Sequence, residues 1–228
     1  MSEHARAPVA RLILASASPA RARVLEHAGI TFEVMVSDVD EDAVVASARA
    51  RGEDLTCAGT ATLLARAKAQ DVATRDEAAG ALVLGCDSVF ELDGTPYGKP
   101  YEVEVAVERW RQMRGRTGTL HTGHWMISAG DRGADTDDGA GARAGAGRTV
   151  STQVSFAEPT ETQVRAYAES GEPLLCAGAF TIDGRGAAFV REVTGDHLSV
   201  IGVSPHAVGQ LLVDLDVDIT DLWRTTRG

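Results

Sequence analysis

The stretch VARLILASASPARARVLEHAG, residues 9–29, places a short apolar run directly before the start of a helix. The run ends at Ala15 and is followed by Ser and Pro, a pattern typical of a buried strand. Ser18 suits the N-cap of a helix, and Pro19 suits its first position, where a missing N–H costs nothing. The helix is predicted to stop at Gly29. A buried strand that leads straight into a capped helix indicates an α/β fold.

The same alternation of strands and helices continues along the chain. Strands are predicted at 31–38, 81–86, 119–128, 149–157 and 187–193, and helices at 54–72, 102–114, 160–169 and 205–215. Residues 89–98 (VFELDGTPYG) predict a strand, a hairpin turn at Asp93 and Gly94, and a returning strand. Residues 129–148 are rich in Gly, Ala and Asp without periodicity, which predicts a flexible surface loop. We expect residues 1–228 to form a single α/β domain.

Composition and charge exclude several classes of protein. The net charge is -11, which argues against a nucleic-acid partner, because such proteins need a basic surface. A few clustered cations can still hold a small phosphate substrate. No apolar run approaches the roughly 18 residues of a membrane span, and the N-terminus does not resemble a signal peptide. We therefore expect a cytoplasmic protein with no membrane partner.

The cysteines fit that expectation. Their number is odd, their spacing is wide, and no CxxC pair occurs, so neither a disulfide framework nor a zinc ribbon is predicted. The three residues are Cys57, Cys86 and Cys176. Free thiols in a reducing compartment are the simpler interpretation.

The first candidate site is the strand-to-helix turn at residues 15–21. A helix N-terminus offers unpaired N–H groups and a partial positive charge, both of which suit a phosphate. Ser16, Ser18 and Arg21 add two hydroxyls and a guanidinium at the same place. A Ser-Pro pair at a helix start also serves simply as a cap, so the turn alone leaves both interpretations open.

Two acidic features could provide metal ligands or a base. Residues 37–42, SDVDED, could bind Mg²⁺ or Mn²⁺, which prefer oxygen ligands, or could form a solvated loop. Asp87 follows the predicted strand 81–86, and α/β sheets bind ligands at the carboxyl ends of their strands. A carboxylate there can act as a general base or hold a metal, or it can cap a turn.

Two lysines and one loop complete the candidates. Lys99 lies between Gly and Pro after the hairpin, and Lys68 lies on a mostly apolar helix; each could face a cleft or only solvent. Residues 170–186 combine tight turns with small side chains and could line a ligand or merely connect two elements. The sequence contains no GxxxxGK[ST] or HExxH motif, and no GxGxxG follows a strand. His121 and His124 point to opposite faces of a predicted strand, so they are poor candidates for a shared metal.

Three long stretches together resemble the Maf family of nucleotide pyrophosphatases. Residues 12–41 (LILASASPARARVLEHAGITFEVMVSDVDE) resemble its opening signature, and residues 82–100 (LVLGCDSVFELDGTPYGKP) are similar to its central strand and hairpin. Residues 170–205 (SGEPLLCAGAFTIDGRGAAFVREVTGDHLSVIGVSP) resemble its C-terminal signature. The resemblance covers about 11–215. It implies an elongated α/β fold in which a mixed, twisted sheet with flanking helices forms two lobes around a central cleft.

The resemblance also implies a reaction. Members hydrolyse nucleoside triphosphates between the α and β phosphates with a divalent metal, Mg²⁺ or Mn²⁺. Asp87 matches the family's catalytic aspartate, described as the proton acceptor, and Lys68 and Lys99 match its two lysines. Ser16 and Arg21 fall in its phosphate-binding turn, which makes a nucleoside triphosphate the expected partner.

The predicted metal ligands come from the same comparison. Asp40 falls at the family's acidic position after the second strand, and Glu41 lies beside it. With Asp87, these residues form the predicted ligand set for the cation. The resemblance also suggests a homodimer.

This chain departs from the commonest family pattern at several positions. Ala20 replaces the first of two arginines, Ser88 replaces a threonine, and Asp183 replaces a glutamine. These three positions help to choose the base in the family. They match neither the subgroup that prefers dTTP and UTP nor the one that prefers 7-methyl-GTP, so the base preference is open. Leu175 and Cys176 replace an Asp-Lys pair, and the missing lysine would weaken phosphate binding.

The leading hypothesis is an enzyme that removes unwanted nucleotides. The alternative is a non-catalytic, nucleotide-binding regulator of cell division or septum formation, and a third is a phosphomonoesterase that releases orthophosphate. Asp87 favours the enzyme, because a protein that only binds needs cations such as Arg21 but no positioned base.

Overall fold

The computed structural model describes residues 10–129 and 145–223. The strands are β1 (Leu12–Ala15), β2 (Glu33–Val34), β3 (Leu82–Leu92), β4 (Thr95–Tyr97), β5 (Thr117–Ser128), β6 (Gly145–Phe156) and β7 (Val190–Thr194). The helices are α1 (Pro19–His27), α2 (Glu41–Ala50), α3 (Cys57–Ala73), α4 (Val103–Met113), α5 (Glu161–Glu169), α6 (His197–Ile201) and α7 (Pro205–Asp214). Short 3₁₀ turns lie at Asp76–Ala78, Glu172–Leu175, Ala177–Ala179, Arg185–Phe189 and Ile219–Leu222.

The seven strands form one mixed sheet. Its order is β2-β1-β3-β5-β6-β7, and β4 pairs with β3 as the second arm of a hairpin. Strand β1 runs parallel to β2 and β3, whereas all the later pairs are antiparallel. This sheet with its flanking helices confirms the predicted α/β class. The pairing of β1 with β3 ends where Ala15 faces Gly85, while β3 continues to Leu92.

The long strand β3 passes through separate apolar cores. In its first half, Leu84 packs in a core with α1 and α7, and Val83 packs on the opposite face with α3. In its second half, Phe90 and Leu92 pack in a core with α4 and α5. Asp87 lies on the strand between these regions. A polar side chain at this junction is held by packed structure on both sides.

Helix α3 lies unusually close to the sheet. A Cβ atom added at Gly85 would lie 2.1 Å from the carbonyl oxygen of Ala65, and one at Gly123 would lie 2.4 Å from that of Ala61. Both alanines are fully buried. Because Gly85 and Gly123 have no side chains, the backbone of α3 can rest directly on β3 and β5.

Several local predictions are confirmed. Ser18 and Thr160 cap the helices that were predicted from them, and Thr160 forms a complete capping box with Gln163. Asp93 and Gly94 take φ values of 49° and 77°, as a hairpin turn with two left-handed residues requires. These features depend on neighbouring residues alone, which is why the sequence predicts them well.

Other predicted elements are wrong. Of the strand predicted at 31–38, only Glu33–Val34 forms a strand, paired with Ile13 and Leu14 of β1. The strand predicted at 81–86 does not stop before Asp87, since β3 remains paired with β5 beyond it. Helices α2 and α6 were not predicted. At 187–193 a 3₁₀ turn occupies the first residues, and the strand begins only at Val190.

The loop predicted at 129–148 is wrong at both ends, while residues 130–144 lie outside the described residues. The backbone N–H of Ala129 donates to the carbonyl of Ala81, 2.8 Å away. Residues 145–148 belong to β6. The small residues that suggested a loop have a packing role, because a Cβ at Gly147 would lie 2.4 Å from the ring of Trp125.

No helix within residues 10–129 or 145–223 has the length and the hydrophobicity needed to span a bilayer.

The contact between α3 and the sheet can be tested by adding one methyl group. We expect Gly85→Ala to lower the free energy of unfolding by about 3 kcal/mol, because the clash is with helix backbone that cannot rotate away. Urea titration followed by circular dichroism measures the change. Gly98→Ala is the matched control, because a Cβ there meets no atom within 4 Å. Equal unfolding midpoints for the two variants would contradict this packing.

Candidate active site

The centre of the candidate site is a buried ammonium between two carboxylates. Lys68 projects from α3, and its Nζ lies 2.5 Å from Oδ1 of Asp87 and 2.7 Å from Oε1 of Glu41. Lys68 and Asp87 are each only 8% exposed, and Glu41 is half-buried. Because Glu41 is the first residue of α2, one ammonium connects α2, α3 and β3.

The two carboxylates differ in their electrostatic environment. Burial raises the pKa of Asp87 above its ordinary value, although the positive charges of Lys68 and Arg21 oppose this effect. Burial also acts to raise the pKa of Glu41, but there the hydrogen bond and charge of Lys68, with the charges of Lys99 and Arg21, outweigh it and lower the pKa. Asp87 is therefore a stronger base than an ordinary aspartate, as proton-transfer chemistry requires.

Arg21 links the strand-to-helix turn at residues 15–21 to the region of Asp87. Its Nε donates to the carbonyl oxygen of Gly202 at 2.8 Å, and its Nη1 donates to Oγ of Ser16 at 3.1 Å. Its Nη2 lies 3.4 Å from Oγ of Ser88, the residue after Asp87. Within the described part of the chain, no carboxylate forms an ion pair with Arg21. Arg21 acts on Asp87 and Glu41 through its charge without a direct ion pair, and such a guanidinium suits an anionic ligand.

A buried polar network contacts the guanidinium of Arg21 through Ser88. Oγ of Ser88 lies 3.0 Å from Oγ1 of Thr122, which donates to the carbonyl of Ser199 at 2.8 Å. His124, two residues further along β5, accepts a hydrogen bond from the backbone N–H of Ser204 at 2.8 Å. Burial, together with the charge of Arg21, lowers the pKa of His124 to about 4, so its ring is neutral.

No sequence motif predicted this network. Thr122 and His124 alternate on one face of β5, and both are fully buried. Polar residues with a period of two in a strand are the signal that could have located them. The prediction that His121 points away from His124 agrees with its contact to Glu91, 3.3 Å away.

Two predicted ligand residues have structural roles. Oγ of Ser18 accepts a hydrogen bond from the backbone N–H of Arg21 and caps α1. Oδ1 of Asp40 accepts from the backbone N–H of Ala43 at 3.0 Å and caps α2. Each side chain lies beside the site, and the contacts that the structure gives it serve helix termination.

Lys99 acts on the site through its charge. It follows the β3–β4 hairpin and is exposed. Its positive charge favours the ionised form of Glu41, whose pKa lies below its usual value. The same charge acts on the thiol of Cys176, whose pKa is raised mainly by burial. Lys99 is thus within electrostatic reach of the carboxylate that pairs with Lys68.

The three positions expected to choose the base lie in two places. Ser88 contacts Arg21, as described above. Ala20 and Asp183 line a cavity of about 420 Å³ beside α1. Oδ2 of Asp183 forms an ion pair with Nη2 of Arg23 at 3.1 Å, a contact that the sequence analysis missed.

The predicted metal ligands are only partly assembled. No group of three or more His, Cys, Asp or Glu side chains within the described ranges has the arrangement of a metal cluster. Glu41 and Asp87 do approach one another through Lys68. Mg²⁺ commonly takes only one or two carboxylates and fills its other positions with phosphate oxygens and water. These two carboxylates fit such a cation when a phosphate substrate is present.

The fold and the site define an α/β protein in which a buried carboxylate is paired with Lys68 and lies near Arg21, an arrangement suited to anionic ligands. A family model described as "Maf-like protein" matches residues 11–215, and the chain belongs to this family.

Three relatives extend the comparison. A protein of Streptomyces coelicolor is 50% identical over 216 residues, which cover 95% of this chain and 96% of the relative. One of Streptomyces avermitilis is 49% identical with the same coverage. One of Leifsonia xyli subsp. xyli is 46% identical over 215 residues, covering 93% and 96%. Each relative is named nucleoside triphosphate pyrophosphatase.

The pairing of Lys68 with Asp87 predicts the direction of a titration. In Lys68→Met the pKa of Asp87 should rise further, because the ammonium that favours the carboxylate is lost while burial remains. The stability that the protonated carboxyl contributes is present below its unfolded-state pKa and is lost as pH rises through the raised value. The ¹³Cγ resonance of Asp87, in protein labelled at aspartate, measures its titration in the wild type and in Lys68→Met.

An internal reference comes from Asp218, whose pKa is lowered by hydrogen bonds from Thr220. Its titration should be the same in both proteins. An unchanged Asp87 titration in Lys68→Met would contradict the coupling.

Proposed function

We propose that this chain is a nucleoside triphosphate pyrophosphatase that hydrolyses the bond between the α and β phosphates. The products are a nucleoside monophosphate and pyrophosphate. The names of the relatives support this assignment. The observation that carries it is the buried Asp87 carboxylate, which is paired with Lys68 and lies near the guanidinium of Arg21.

The phosphates are bound by cations whose N–H groups still have room for an acceptor. Arg21 already has its guanidinium fixed by Gly202 and Ser16, so little conformational entropy is lost when it binds an oxyanion. The N–H groups at the start of α1 face the same turn and favour negative charge. Lys99, which is exposed and follows the β3–β4 hairpin, adds a further positive charge. Together these groups offset the charge that develops on the leaving pyrophosphate.

Asp87 is the proposed proton acceptor. Its Oδ1 is held by Lys68, which leaves Oδ2 to take a proton from a water molecule. The water oxygen forms a bond to the α phosphorus, the bond from that phosphorus to the bridging oxygen breaks, and pyrophosphate leaves with the electron pair. The raised pKa of Asp87 makes the proton transfer more favourable than for an exposed aspartate.

A divalent cation, Mg²⁺ or Mn²⁺, is also proposed. Glu41 and Asp87 would hold it with the phosphates, and Asp40 lies next to Glu41 as the third predicted ligand. Such a cation supplies further positive charge to the phosphate oxygens. Lys68, which contacts both carboxylates, keeps them ionised and close together before the cation and the substrate bind.

The cellular role and setting are proposals of the same kind. The reaction would remove unwanted nucleotides before they enter nucleic acid. The free thiols of Cys57, Cys86 and Cys176 suit the cytoplasm, where nucleotides are found. A homodimer is proposed from the family alone, and sedimentation equilibrium would test it.

The reaction can be tested by its products. Purified protein with Mg²⁺ or Mn²⁺ and a set of nucleoside triphosphates should release monophosphate and pyrophosphate in equal amounts. Asp87→Asn should lower the rate by at least about 10²-fold, because the proton acceptor is lost. Asp221→Asn, an exposed change far along the chain, is the matched control. Orthophosphate with diphosphate would indicate another phosphatase, and nucleotide binding without turnover would indicate the regulatory alternative.

The cation can be tested by removing it. A chelator should abolish turnover, and Mg²⁺ or Mn²⁺ should restore it. Glu41→Gln should raise the cation concentration needed for half-maximal activity by about 10-fold or more, since one carboxylate ligand is lost. Glu26→Gln, an exposed change on α1, controls for charge. Full activity in the presence of the chelator would rule out a metal requirement.

A further inference from the structure

The segment that carries Lys99 is held in place although the lysine itself is exposed. After the lysine, Pro100 is buried, and the backbone N–H of Tyr101 donates to the carbonyl oxygen of Leu174 at 2.9 Å. Tyr101 has a φ of 61°, a left-handed conformation that is strained for a side chain of this size. Such conformations persist only where the surrounding structure holds them, and they are concentrated at functional sites. The backbone after Lys99 is therefore held in a conformation that it would not adopt alone.

Arg109 of α4 holds the backbone before Lys99. Its Nη1 donates to the carbonyl oxygen of Gly98, and its Cζ lies 5.9 Å from the centre of the Tyr97 ring, in a cation–π contact. The hydroxyl of Tyr97 donates to Oε1 of Gln112 at 2.6 Å, so the ring is itself attached to α4. A Cβ at Gly98 would meet no atom within 4 Å, so steric packing does not hold this peptide. The hydrogen bond from Arg109 therefore holds it.

An ion pair does not explain the position of Arg109. In the part of the chain that the structure describes, no carboxylate pairs with it, whereas its neighbour Arg111 pairs with Glu161 of α5. Arg109 is half-buried, and burial lowers its pKa. Burying part of a guanidinium is unfavourable unless its N–H groups find an acceptor. The carbonyl of Gly98 is the acceptor that the structure provides.

We propose that Arg109 is a positioning residue that holds Lys99 where its ammonium can contact the phosphates of the substrate. The inference rests on the proposed function and deepens it. The charge of Lys99 contributes to the lowered pKa of Glu41, so the ammonium is within electrostatic reach of the carboxylate that pairs with Lys68. Because the backbone on both sides of Lys99 is fixed, less conformational entropy is lost when the ammonium binds an oxyanion. Arg109 thus acts through Lys99 and not on the reacting atoms.

The first test is a double-variant cycle, with Mg²⁺ and the nucleoside triphosphate that the wild type hydrolyses fastest. We expect Arg109→Met to lower kcat/KM about 10-fold or more, mostly in kcat, because Lys99 offsets charge that develops on the leaving pyrophosphate. Combined with Lys99→Met, it should cause no further loss, because the residue through which it acts is gone. Losses that multiply in the double variant would overturn the proposal. Arg111→Met, which removes a guanidinium from the same helix, should keep the wild-type rate.

A second test measures the order of Lys99 without substrate. The ¹⁵N relaxation of its backbone amide reports fast motion of this peptide. The amide should become more mobile in Arg109→Met and stay ordered in Arg111→Met. Arg109→Lys is a milder change that keeps a donor for the carbonyl of Gly98, and it should give an intermediate order and an intermediate rate. An amide as ordered in Arg109→Met as in the wild type would overturn the proposal.

The two tests separate a failure of this inference from a failure of the proposed function. If the wild type hydrolyses no triphosphate and Lys99 still loses order in Arg109→Met, the pyrophosphatase is wrong and the anchoring of Lys99 stands. If the wild type releases pyrophosphate and Arg109→Met keeps both its rate and an ordered Lys99, the pyrophosphatase stands and the positioning role is wrong.

Discussion

The buried ammonium of Lys68 is the interaction on which the rest of the site depends. An ionised side chain in a packed interior is costly unless opposite charges and hydrogen bonds compensate for it. Glu41 and Asp87 provide that compensation, and each comes from a different element. The pairing requires α3 to lie directly on the sheet, which the glycines of β3 and β5 permit. The electrostatics of the site are thus a consequence of a steric feature of the backbone.

The long strand β3 explains why the cations and the base converge. Its first half is fixed by parallel pairing with β1, so the turn that carries Arg21 reaches the middle of β3. Its second half pairs with β4 in a hairpin, and Lys99 follows the end of β4. Thr122 and His124, from the neighbouring strand, connect the turn after β1 to the corner between α6 and α7. Strand register thus brings residues that are far apart in the sequence close together, and α2 and α3 add Glu41 and Lys68.

The sequence predicted what depends on neighbouring residues and on motifs. The caps of α1 and α5, the hairpin turn and the α/β class were found in this way, and the resemblance pointed to Asp87 and Lys68. It failed where pairing partners decide the structure: β3 continues past Asp87 because β5 lies beside it, and small residues in β6 belong to a strand because Trp125 covers them. The ion pair of Arg23 with Asp183 joins residues 160 positions apart, so no local pattern could reveal it.

The contact of α3 with Gly85 and Gly123 also limits how this protein can diverge. No side chain is smaller than hydrogen, and the next in size already overlaps the helix backbone. Neither glycine can therefore be replaced by a single tolerated substitution, because any larger residue requires α3 to shift at the same time. The walls of the cavity beside α1 carry no such restriction. Single substitutions can therefore reshape that cavity while the scaffold that holds Lys68 stays the same.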